Sequence, residues 1–237
     1  MPDGNDGEKI VSEQIRAKIA VALVKKVAPC CRYYCILFVN VAKQAREGVV
    51  MSKPVKVGVL FETDFYENEI FYYQHRFQEE DIELHFLSKL WGNPSLTFKG
   101  HEYQIKMECN ESFENICDEE LADYAAIIVP AGMVSDRLRY TADVTQIPPA
   151  TQFLARAFAN KNIVKGIICH GLWLVAPMPE LVRGRKMTCH NNLLGDAKAY
   201  GVDYVNQDLV VDGDLVSART GGHCHLMARQ IINMIKK

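Results

Sequence analysis

The chain has 237 residues, 49% of them apolar and 24% charged, with nine prolines and fifteen glycines. Those proportions describe a folded globular protein and exclude a disordered tail or a collagen-like repeat. With 29 acids against 27 bases the net charge is −2, so no global basic field recruits nucleic acid. The charge is uneven, however: residues 1–50 carry eight Lys/Arg and five Asp/Glu (net +3), and residues 51–237 carry 19 and 24 (net −5).

The opening Met1-Pro2-Asp3-Gly4-Asn5-Asp6-Gly7-Glu8 is polar and acidic where a secretory signal would be basic and then apolar. The expectation is therefore a reducing, cytoplasmic setting in which the eight cysteines are free thiols. The longest apolar runs, Ile19–Val24 and Tyr33–Ala42, fall well short of the roughly 20 residues a membrane helix needs, so no span is expected.

Within the first fifty residues, Ile10, Val11, Ile15, Ile19, Ala22 and Leu23 recur at helical spacing among Lys and Arg, which predicts a basic amphipathic helix stopped by Pro29. Cys30, Cys31 and Cys35 follow beside Tyr33 and Tyr34. A membrane-surface anchor, acylated cysteines and a metal site are all readings of this pattern, but nearby ligands at finger-like spacing are lacking. The plainer reading is an accessory helix or extension, with weak support for an organelle address because residues 14–46 contain no acid. Met51-Ser52-Lys53-Pro54 would serve as a natural start, so residues 51–237 are expected to form the main domain and residues 1–50 an extension outside its core.

From Val55 onward the pattern is regular. Val55–Phe61, Ala125–Val129 and Ile163–Ile168 are continuous apolar runs, the mark of strands buried on both faces; Ile82–Leu87 reads as a further strand. Helices are predicted over Glu67–Gln78, Gln152–Asn160, near Leu172–Ala176, near Leu193–Tyr200 and over His223–Lys236. Leu209–Val211 and Leu215–Ala218 flank Asp212-Gly213-Asp214, a hairpin signal. Alternating strands and helices imply an α/β fold, a doubly wound parallel sheet with helices on both faces. Its ligands would bind beyond the carboxyl ends of the strands.

Three segments end there. In Gly166-Ile167-Ile168-Cys169-His170-Gly171 a buried strand runs into a small-residue turn and a helix, the setting of a nucleophile elbow. The amino end of that helix is expected to lower the Cys169 pKa below the free value near 8.5, and Gly171 to leave room for substrate and close backbone approach. The alternative is an inert core cysteine. After the first strand, Asp64-Phe65-Tyr66-Glu67-Asn68-Glu69-Ile70 offers acids at a helix start, which either reach the thiol or simply favour the helix dipole. The third, Val129-Pro130-Ala131-Gly132-Met133, is a turn whose N–H groups could cradle an oxyanion, or an ordinary βα connection. Trp173 is a candidate cleft wall or core residue. His223-Cys224-His225 lacks a fourth partner for a metal, and no metal or cofactor is expected.

In this order the three segments resemble the ThiJ/PfpI superfamily, within the class I glutamine amidotransferase-like, flavodoxin-like fold, from about Lys56 to Lys236. Ile168-Cys169-His170-Gly171 matches the nucleophile segment, Ser135-Asp136-Arg137-Leu138-Arg139 a loop, and Arg183-Gly184-Arg185-Lys186 with Val211–Arg219 the C-terminal half. The resemblance implies Cys169 as nucleophile, His170 as its base, Glu69 approaching the cysteine, and Ala131 and Gly132 in the oxyanion turn. It further implies that an acid, here Asp136, orients the histidine of a neighbouring subunit, hence a homodimer or larger homo-oligomer. Tyr66 stands where many relatives carry another acid. The residue two after His223 is His225 rather than Glu, which argues against ammonia transfer from glutamine.

The implied function is a cofactor-independent cysteine enzyme acting on small reactive carbonyls, of glyoxalase or deglycase type, taking methylglyoxal to lactate as a stress-protection activity. A PfpI-type peptidase or amidase would use the same residues on a peptide. A redox-responsive chaperone or sensor, or a binding module descended from an enzyme, would use the cysteine without turnover.

Overall fold

The computed structural model describes residues 53–236, so the amphipathic helix and cysteine cluster expected in residues 1–50 lie outside the described residues. The described chain begins with β1 (Val55–Leu60), α1 (Glu67–Gln78) and β2 (Ile82–Ser88). A hairpin of β3 (Leu96–Lys99) and β4 (Lys106–Cys109) comes next, then β5 (Glu111–Ser112) and the single turn α2 (Asp118–Leu121). β6 (Tyr124–Val129) leads through α3 (Val134–Leu138) and α4 (Pro149–Ala159) to β7 (Val164–Ile168). After a 3-10 helix over Cys169–Val175 come β8 (Lys186–Met187), α5 (Leu194–Ala199), β9 (Asp203–Tyr204), β10 (Leu209–Asp212), β11 (Leu215–Ala218) and α6 (Cys224–Ile235).

The main sheet has the order β10-β11-β7-β6-β1-β2-β5. All its pairs are parallel except β10–β11, the hairpin read from Asp212-Gly213-Asp214. From β1 the chain steps outward to β2 and β5, returns to β6 on the other side of β1, and continues to β7 and β11. Right-handed crossovers in opposite directions along one sheet put α1 and α4 on opposite faces. α6 returns to the α1 side and packs on β7, where Gly166 gives Ile231 and Met227 room to approach. Because both faces are covered, every residue of β7 is buried, and the apolar run is continuous rather than alternating.

Three local expectations shift. α4 starts three residues early because Pro149, with φ preset for a helix, occupies its first turn. The helix expected near Leu172 is a tighter 3-10 helix that begins at Cys169 itself. The β3–β4 hairpin and α3 were not expected at all. Among the described residues no helix is long and apolar enough to cross a membrane. The strand order reverses between β1 and β6, so the carboxyl ends of β1, β6, β7 and β11 surround one crevice.

Candidate active site

Cys169 is the first residue after β7 and has φ +58°, a left-handed conformation that costs a residue with a side chain. The turn holds the thiol at the mouth of the sheet, 8% exposed. Backbone N–H groups of Gly221, His170 and Gly132 face the sulfur, and His170 Nδ1 lies 3.3 Å from it. The expectation of a depressed pKa fails: burial pushes the thiol up to about 11, beyond what those N–H groups recover. A 3-10 turn starting at the cysteine supplies less help than a long helix, and the acid beside it opposes ionisation.

That acid is Glu69. It projects from the first turn of α1 and is completely buried. Burial raises its pKa to about 8, although the Tyr73 hydroxyl and the Ala131 N–H pull it down. Glu69 Oε2 accepts the Ala131 N–H at 2.8 Å, while Oε1 and the Tyr73 hydroxyl lack a partner at hydrogen-bond geometry. Near neutral pH Glu69 is therefore chiefly a carboxylic acid, with one oxygen still uncommitted. Ala131, expected to serve an oxyanion, has its N–H engaged by Glu69 instead. Gly132, the other residue expected there, adopts φ +82° and turns its own N–H toward the sulfur.

His170 is held by aromatic neighbours. Its ring meets Trp173 edge-on at 4.9 Å between centroids and lies 4.6 Å from the ring of His190. Burial first, then the His190 charge, lower the His170 pKa, so the imidazole is neutral and able to accept a proton. Trp173 thus supports His170 rather than walling the cleft. Gly171 provides the close approach but not substrate room: a Cβ there would sit 2.7 Å from the Val129 carbonyl oxygen. Within one chain Asp136 is not brought to His170; it lines a separate groove with Glu62, Trp91, Arg137, Arg139 and Tyr140.

The cleft over Cys169 encloses about 420 Å³, and four of its contributors were not foreseen: His190, Thr220, His101 and Glu102. His101 and Glu102 arrive on the turn between β3 and β4, which buried Glu67 pins by accepting the N–H groups of Glu102 (2.9 Å) and Tyr103 (2.8 Å). His190 follows β8, and its N–H reaches the Cys169 carbonyl at 3.4 Å. Cys224 points inward at the start of α6, whereas His225 Nδ1 bonds the Gly222 carbonyl at 3.0 Å, so the two do not share a ligand site. Among the described residues no cluster of three His, Cys, Asp or Glu could hold a metal ion.

Residues 55–234 match the DJ-1/PfpI family. A deglycase of Pyrococcus horikoshii is 29% identical over 182 residues, which is 77% of this chain and 100% of the relative. The protein/nucleic acid deglycase 2 of Escherichia coli is 27% identical over 188 residues, 78% of this chain and 99% of that one. Among solved structures, DJ-1 of Schizosaccharomyces pombe shares the fold with a TM-score of 0.60 at 20% identity, covering 77% of this chain and 97% of that one.

Proposed function

The chain belongs to the DJ-1/PfpI family, and from that premise we propose that it is a Cys169-dependent enzyme of deglycase type, acting on small reactive carbonyls and their adducts, with methylglyoxal carbon leaving as lactate. One observation carries the reading: a strained, N–H-lined thiol stands between a neutral imidazole and a carboxyl held protonated near pH 7. Each group is in the form the chemistry needs. His170 Nδ1 takes the thiol proton as sulfur bonds to the carbonyl carbon, and the N–H groups of Gly132 and Gly221 meet the developing oxyanion. Glu69 gives that oxygen a proton. As a carboxylate it then removes the hydrogen from the hemithioacetal carbon and returns it to the neighbouring carbon. The result is a 2-hydroxyacyl thioester on Cys169, formed without external oxidant or reductant. Water releases the hydroxy acid and restores the thiol.

A cleft of about 420 Å³ suits a small molecule or one modified side chain better than an extended peptide. A thiol near pKa 11 is little ionised at neutral pH, which weighs against a peroxide sensor. For Asp136 we retain the role of orienting His170 of a neighbouring copy. The test is lactate formation, without glutathione, from methylglyoxal and from methylglyoxal-treated N-acetylarginine, comparing wild type with Cys169→Ser. Turnover should vanish in the variant; equal lactate from both proteins would refute the reading. The wild-type rate should also fall as pH rises through about 8, where Glu69 loses the proton it must donate.

A further inference from the structure

The cleft has a second polar wall, of which this chemistry uses only the Gly221 N–H. Beyond β11 the chain passes through Arg219 and Thr220 into the 3-10 turn Gly221–His223. Thr220 Oγ1 lies 3.0 Å from His223 Nδ1, and His223 Nε2 lies 3.7 Å from Asp208 Oδ2, an ion-pair distance. Asp208 is itself anchored, since its Oδ1 accepts Arg219 Nε at 2.9 Å. The other guanidinium nitrogens donate to Asn191, Tyr204 and Asn206. Hydroxyl, imidazole and carboxylate thus stand in series. The series starts at the cleft: Thr220 and Gly221 both line it, and the Gly221 N–H faces the Cys169 sulfur.

A Thr and a His three residues apart can simply close a turn. Here that turn is already closed by the His223 N–H on the Thr220 carbonyl at 2.8 Å. The far imidazole nitrogen, moreover, lies within ion-pair distance of a half-exposed carboxylate that Arg219 holds, which turn closure does not require. At the thioester stage the bases open to the hydrolytic water are the carboxylate that Glu69 has become and this second wall. His170 holds the thiol proton from the first step and returns it to the departing sulfur, so it is not free to activate the water that cleaves the thioester.

We propose that Thr220, His223 and Asp208 form a proton relay that activates the hydrolytic water. The inference rests on the Cys169 reading above. Water adds to the thioester carbonyl carbon while its proton passes to Thr220 Oγ1, and the Thr220 hydroxyl proton passes to His223 Nδ1. Asp208 stabilises the resulting imidazolium. Collapse breaks the carbon–sulfur bond and releases the acid, His170 reprotonates Cys169, and His223 gives its proton to solvent, from which Glu69 regains the one it spent. Thr220 is the catalytic residue of the set; His223 and Asp208 act through it.

Acylation and deacylation can be separated with p-nitrophenyl acetate on the full chain. Wild type should give a burst of p-nitrophenol, absent in Cys169→Ser, followed by a slower steady rate. His223→Asn keeps an amide to bond Thr220, and Thr220→Val keeps the shape without the hydroxyl. Both should retain burst amplitude, which counts folded sites, while the steady rate drops about a hundred-fold or more and S-acetyl-Cys169 accumulates by intact mass. Thr220→Ser should restore the steady rate. Steady rates equal to wild type in both variants, with no acyl-enzyme accumulating, would overturn the relay and leave the nucleophile intact. No burst from wild type would overturn the nucleophile reading and the relay with it.

Discussion

Two carboxyls, Glu69 fully buried and Asp214 largely so, sit at opposite ends of the central sheet and take opposite forms. At the amino end, Asp214 lies in the β10–β11 turn against Lys165, a lysine with no exposure near the start of β7, and against Arg185. Burial raises the Asp214 pKa, but the two cations outweigh it and bring the carboxyl to about 2. At the carboxyl end, Glu69 is buried with a tyrosine, a backbone N–H and no cation, and rises to about 8. The same penalty on charge acts at both positions, and what differs is the partner. One end uses a permanent ion cluster to tie the strands at Lys165 and Asp214; the other keeps a removable proton beside a thiol.

The contrast is broken most severely at the ion cluster. Asp214→Ala leaves the Lys165 ammonium buried with the Asn160 carbonyl at 3.2 Å and the Phe158 ring but no anion bonded to it, and should cost about 3–5 kcal/mol in urea unfolding. Replacing both partners, Lys165→Met with Asp214→Leu, should recover most of that loss; no recovery would mean the pair is not what the end depends on. The wild-type cluster also sets an acid limit. Because its folded pKa lies below the ordinary 3.8, Asp214 contributes stability above that pH and loses it as pH falls toward 2.

Glu69 has the opposite sign. Its folded pKa exceeds the ordinary 4.5, so its contribution is whole below about pH 4.5 and is lost progressively as pH rises toward 8, with a slope of up to about 1.4 kcal/mol per pH unit. Glu69→Gln should flatten the stability profile across that window and abolish turnover, since the amide cannot give up and regain a proton. A variant that remained as pH-dependent as wild type would place the titrating group elsewhere.

The two ends were not equally legible in the sequence. The strands were, because Tyr124–Val129 and Val164–Ile168 are buried on both faces and have no solvent side to interrupt the apolar run. The place of Cys169 at the carboxyl end of β7 was, because it directly follows such a run. The protonation of Glu69 was not: an acid in a first helical turn ordinarily faces water, and this one is buried against Ala131, Tyr73 and the thiols of Cys169 and Cys224, neighbours from four separate segments. A clue existed in Tyr73, four residues on and on the same face among Ile70 and Phe77. His190 was hidden for another reason. It follows a two-residue strand and opens an irregular turn, so no periodicity marks it, and its nearness to His170 is purely tertiary. The lowered thiol pKa was expected from a helix dipole alone, whereas burial decides it.

Gly132→Ala should have the next largest effect. At φ +82° any side chain is strained, and the added Cβ would press on the Asp64 carbonyl that accepts the Met133 N–H at 3.0 Å. A loss of about 1–3 kcal/mol is expected. The N–H facing the sulfur would also move, so kcat should fall more than KM rises. Unchanged kinetics would remove Gly132 from the oxyanion site.

The smallest effect belongs to the ion pair beside that turn. Arg137 Nη2 meets Asp64 Oδ2 at 2.6 Å, but half of the arginine side chain is exposed, so solvent and salt screen the pair and its flexible partner loses rotamer freedom in forming it. Arg137→Ala should cost at most about 1 kcal/mol, and the difference should shrink further at 1 M salt. Turnover should hardly change, because the Asp64 backbone carbonyl, not its carboxylate, fixes Met133 and with it Gly132. A loss as large as that of Gly132→Ala would reverse this order and make charge, rather than backbone geometry, the force that holds the oxyanion turn in place.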